Sequence, residues 1–116
     1  MNRISCIKAG IDYDEGLQRC MDSEEFYHEF LKKFLEDDSY SNLLKAMAAK
    51  DATAAFAAAH TLKGVILFLS LKDLSNALNP VVEGLRNATV IDAAVPFMPK
   101  LEEEYKRVTD FLREME

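Results

Sequence analysis

The sequence predicts an all-α fold, an antiparallel up-and-down four-helix bundle with a short N-terminal helical lead-in. Three observations carry this expectation. Four Gly and three Pro among 116 residues are about half the usual combined share, which disfavours a turn-rich β-sandwich. Ala and Leu, both strong helix formers, occur fourteen times each against fifteen for Val, Ile and Thr together. Four segments then place apolar residues on one face in steps of three and four, and such stripes are buried only against one another. A chain of 116 residues has room for one core, so a single domain over 1–116 is expected, with the bundle over about 22–115.

Residues 4–17 show little periodicity and contain Gly10 and Gly16. They read as a lead-in over the bundle end, with one helical turn around 11–19. Asp22 with Glu25 three residues on has the form of a capping box, and Phe26, Phe30, Leu31, Phe34 and Leu35 follow at helical spacing. Residues 23–37 are therefore expected as an amphipathic helix whose phenylalanines pack in the core. Ser39 and Asp51 are N-cap residues for a short helix over 40–49 and a long one over 52–69, separated by a bend. Ser70-x-x-Asp73 is a second capping box, opening a helix with the seam Leu71, Leu74, Leu78, Val81 and Leu85. The seam keeps its spacing through Pro80, which predicts one kinked helix, because proline removes a backbone bond without cancelling packing. Arg86–Thr89 closes it. After a breaker region containing Pro96 and Pro99 a last seam, Met98, Leu101, Tyr105, Val108, Leu112 and Met115, runs to the C-terminus on a helix whose start falls between Asp92 and Phe97.

Composition narrows function by exclusion. Fourteen basic and twenty acidic residues give a net charge of −6, so the chain repels phosphate backbones and anionic lipid, and nucleic acid is not an expected partner. The first ten residues lack the apolar run of a secretory signal, and the longest apolar stretch, 65–69, is too short to span a bilayer. The expectation is a cytoplasmic monomer with no membrane partner. Cys6 and Cys20, without a CxxC pair, read as reduced thiols filling space. No carboxylate pair, Ser/His/Asp set or metal-ligand cluster has the spacing a hydrolase needs, so no metal and no cofactor are expected. Glu102, Glu103 and Glu104 read as a solvated face, and His28 as a partly solvated surface group.

The informative segment surrounds His60. At about 100° per residue, Ala58, Leu62, Val65, Ile66 and Leu69 cluster between about 140° and 240° from His60, so the core face lies opposite the histidine. Lys63 and Gly64 flank the ring one turn onward, and Phe56 and Leu67 share its exposed stripe. An imidazole, an ammonium, a bare glycine and two large apolar groups on one solvent face form a docking surface with a reactive centre. A glycine inside a helix costs about 1 kcal/mol relative to alanine. Its use here is close approach of a partner's loop or a phosphoryl group to the ring. A neutral imidazole nitrogen has a lone pair able to attack phosphorus, and an ammonium beside it can pair with phosphoryl oxygens.

The run AAFAAAHTLKGVILFLSLKDL resembles the phosphoacceptor helix of histidine-containing phosphotransfer (HPt) domains, whose motif is a helical His-x-x-Lys-Gly, here His60-Thr61-Leu62-Lys63-Gly64. The resemblance spans about residues 10–115, since GIDYDEGLQRCMDSEEFYHEFLKKFLED also looks like the family's opening. It implies that His60 accepts the phosphoryl group, Lys63 steadies its charge and Gly64 gives steric access, with Phe56 and Leu67 in the partner face. It further implies a phosphoryl carrier without kinase activity of its own, exchanging with response-regulator receiver domains and a hybrid histidine kinase in a two-component phosphorelay, with magnesium belonging to the receiver. The chain departs from the family where a small or polar pair often ends in glycine and Phe68 and Ser70 stand instead. Arg86, on the following helix, is a candidate for the second basic group that some members place near the site, though its spacing is not part of the motif. The alternative reading is a non-catalytic helical-bundle adaptor, which Phe56 and Leu67 would also serve. A histidine-kinase dimerisation domain also presents a helical histidine, but normally has two helices per chain and an attached ATP-binding domain.

Overall fold

Asn2 opens the chain's first helix, its side chain accepting from the backbone N–H groups of Ile4 and Ser5. The computed structural model describes residues 2–115, and among these every regular element is helical. Helix α1 spans Arg3–Lys8 and α2 spans Tyr13–Arg19, where Asp12 accepts from the Glu15 N–H. The expected lead-in with one turn is thus two capped helices. Gly10, at φ +87°, makes the reversal between them. The lead-in is bound to the end of the fold: Asp12 N–H donates to the Ser70 carbonyl at 2.9 Å, and Asp73 N–H to the Gly10 carbonyl at 3.1 Å.

Helix α3 spans Glu24–Lys33 and continues as a 3-10 turn over Phe34–Glu36. Its cap is Ser23, whose hydroxyl accepts from Phe26 N–H. The expected Asp22–Glu25 box does not form, because Asp22 lies at φ +60°, outside the extended region an N-cap needs. The buried face also differs from expectation. Tyr27, Leu31 and Phe34 face the core, while Phe26 is 58% and Phe30 39% exposed. The segment holds two interleaved aromatic stripes, and packing selects the one led by Tyr27.

Helix α4 spans Ser39–Ala48 and α5 spans Ala52–Leu69, the latter capped by Asp51, which accepts from Ala54 N–H at 3.0 Å. The two are joined by a turn through Lys50 at φ +56°, sharper than the expected bend, and they pack along one another. By length and composition α5 is apolar enough to cross a membrane. Its stripe Ala52, Ala55, Ala59, Leu62, Ile66 and Leu69 is buried, and the helix packs on α4 and on α6, Lys72–Leu85. Each fully buried leucine or isoleucine there contributes about 1.5–3 kcal/mol.

Ser70 does not cap α6. It ends α5 in the left-handed conformation, φ +60°, and its hydroxyl donates to Glu15 at 2.9 Å and accepts from Arg19 at 2.8 Å. Helix α6 continues through Pro80 as expected, burying Leu74, Leu78, Val81 and Leu85. After a 3-10 turn over Val95–Phe97, α7 spans Met98–Arg113 and buries Leu101, Val108 and Leu112. Glu104, expected in solvent, is buried at 8% exposure, with Lys100 at 3.2 Å and Arg107 at 2.9 Å supplying counter-charge. Cys6 and Cys20 are free and buried, and burial raises both thiols above their ordinary range.

Candidate functional site

The face of α5 opposite its alanine-leucine stripe carries His60. Thr61 beside it is turned back on the helix, its hydroxyl donating to the Ala57 carbonyl at 3.0 Å. His60 is exposed, Lys63 half-buried and Gly64 exposed. A Cβ built on Gly64 would meet nothing within 4 Å, so no packing within the chain requires glycine there. Leu67 is exposed farther along, and Phe56 is half-buried one turn before His60. The five residues singled out from the sequence therefore lie along one side of one helix.

The tertiary structure adds a group from α6. Phe56 and His60 hold their rings 5.7 Å apart at 36°, and the Arg86 guanidinium lies over the Phe56 ring, 5.4 Å from its centroid. Glu83 accepts from Arg86 Nε at 3.1 Å and Nη2 at 3.3 Å. The hydrogen bond and charge of Arg86, with Lys63 adding to them, hold the Glu83 carboxyl below its ordinary range. Arg86 is thus placed against the site, and Glu83 is the member that sequence reasoning missed. Its only local signal is the three-residue spacing from Arg86, common on exposed helices.

His28 stands apart from this surface. It is half-buried on α3, with Nε2 2.8 Å from the Tyr13 hydroxyl, and burial pulls its imidazole below the ordinary value. Among the described residues no group of three or more His, Cys, Asp or Glu side chains converges as a metal site would need. The far end of α5 is held by neighbouring helices. Arg19 reaches the Leu67 carbonyl, and the Tyr27 hydroxyl donates to the Leu69 carbonyl. The helix that presents His60 is therefore anchored from α2 and α3. No protein-family model, curated protein or solved structure matches the chain.

Proposed function

We propose that the protein is a histidine phosphotransfer carrier. In this reading a neutral His60 nitrogen attacks the phosphorus of an aspartyl phosphate on a receiver domain. An N–P bond forms, the P–O bond to the aspartate breaks, and the carboxylate leaves with its electron pair while the ring keeps the proton on its other nitrogen. The reverse step delivers the phosphoryl group to a second receiver. Lys63 and Arg86 offset the phosphoryl charge, and Gly64 leaves room for the approaching acidic cleft. Helices α3 and α4 taken together, with α5, α6 and α7, would supply the antiparallel four-helix frame that the resemblance implies. Donor and acceptor would be a hybrid histidine kinase and response-regulator receivers, met in the cytoplasm by a monomer without kinase activity.

The observation that carries the reading is the exposed imidazole with open space over the glycine one turn away. Incubation with a phosphorylated receiver domain tests it. Wild type should gain an acid-labile, base-stable phosphate, and His60→Gln should gain none while its stability stays within about 0.5 kcal/mol. Labelling that survives in His60→Gln and disappears in His28→Gln would overturn the assignment.

A further inference from the structure

Beyond the histidine, α5 keeps an apolar surface that the rest of the chain leaves uncovered. Leu67 and Phe68 are 40% and 45% exposed. The Phe68 ring meets Phe30 of α3 edge to face, with centroids 5.7 Å apart. Beside the pair is an open recess of about 180 Å³ whose lining includes Phe34, Val65 and Leu69, with Lys33 and Asp37 at its border. A recess of this kind takes one aliphatic side chain.

Helix geometry sets the distance from this ledge to the reactive ring. Eight residues separate His60 from Phe68, a rise of about 12 Å, with a rotation of about 80° that keeps both on one side. Gly64 lies between them and leaves that space clear. A standard interface takes about 800 Å² from each partner, a disc of about 16 Å radius. Centred on His60, that disc covers the ledge. The exposed parts of Leu67, Phe68 and Phe30 amount to only about 250 Å², judged from the area such side chains bury in full. Alone, this is too little to hold a second copy of the chain, and it suits a partner already drawn onto His60.

We propose that Leu67, Phe68 and Phe30 form a specificity-determining ledge of the receiver-docking surface, with one apolar receiver side chain entering the recess beside the two rings. The proposal rests on the phosphotransfer reading of His60. Charge agrees with that occupant. The recess border carries both Lys33 and Asp37, so it offers no net charge and suits an apolar side chain, while Lys63, one turn before Leu67 on α5, is placed for the acidic cleft that a domain with a reactive aspartate brings to His60.

The test compares wild type, Phe68→Ala, Phe30→Ala and, as a control on another helix, Leu44→Ala. Each is phosphorylated with phosphoramidate, a small donor that needs no docking, and then offered to the receiver domains encoded in the same genome. The expected result is a rise of about tenfold in KM for the receiver in each phenylalanine variant, with kcat within about twofold. Leu44→Ala should match wild type, and sedimentation should show every protein as a monomer. An unchanged KM in both phenylalanine variants overturns the proposal. So does a wild-type dimer that the same substitutions dissociate without altering KM, which would assign the ledge to a second copy. If wild type takes phosphate from phosphoramidate but exchanges with no receiver, the ledge proposal fails while His60 stands as reactive. If it takes no phosphate from either source, the phosphotransfer reading itself fails.

Discussion

The Tyr27 hydroxyl donates a 2.7 Å hydrogen bond to the carbonyl oxygen of Leu69, the last residue of the helix that carries His60. Tyr27 is fully buried, so its partner has no water to turn to. Tyr27→Phe should therefore cost about 1–3 kcal/mol in the denaturant midpoint, the cost of leaving a buried acceptor unpaired. Gly16 packs directly against the same hydroxyl, where a Cβ would overlap it. Gly16→Ala should destabilise by about 1–3 kcal/mol despite better helix propensity.

Gly64 should show the opposite sign. Open space surrounds it, so Gly64→Ala should raise stability by up to about 1 kcal/mol. Gly64→Gln should block receiver approach, and transfer should fall while the melting temperature holds. Lys63→Ala removes charge without adding bulk, and should slow transfer or shorten the phosphohistidine lifetime with receiver affinity retained. Wild-type transfer in Gly64→Gln would refute the close-approach role.

Leu62 and Phe30 separate the two faces of the apolar pattern. Leu62 is fully buried, and Leu62→Ala should cost about 2–5 kcal/mol. Phe30 is 39% exposed, so Phe30→Ala should cost less than Leu62→Ala, about 1–2 kcal/mol. Equal losses for the two in urea unfolding would contradict this division.

His28 should make stability depend on pH. Burial, with Lys32 acting in the same direction and Glu24 against it, lowers its folded-state value, so the unfolded chain takes up the proton more readily. The stabilisation is fully present above the ordinary histidine range near 6.5 and declines as pH falls through that range toward the lower folded value. His28→Gln should remove this step, seen by comparing denaturation midpoints of the two proteins at about pH 8 and about pH 5.5.

The helices and the reactive face are legible in the chain because their causes are local. Asp51 caps α5 where its position predicts, Pro80 is carried inside α6, and 3.6 residues per turn put His60 opposite Leu62 whatever packs there. The buried stripe of α3 is a different matter. Phe26 and Phe30 satisfy helical spacing as well as Tyr27, Leu31 and Phe34 do, and the choice depends on Gly16 making room for Tyr27 and on Leu69 offering it a carbonyl. Ser70 likewise has the pattern of a cap, but Glu15 and Arg19, distant in sequence, take its hydroxyl while it ends α5 in the left-handed conformation. Arg86 comes to lie over Phe56 because α6 packs back along α5. The sequence by itself thus determined that the chain is helical, which segments form the long helices and which residues of α5 share a face, since those follow from hydrogen bonds and rotations within a few residues. Only the tertiary structure decided which of two apolar faces is buried and which side chains from other helices reach the site, because those depend on contacts between segments that local periodicity does not relate.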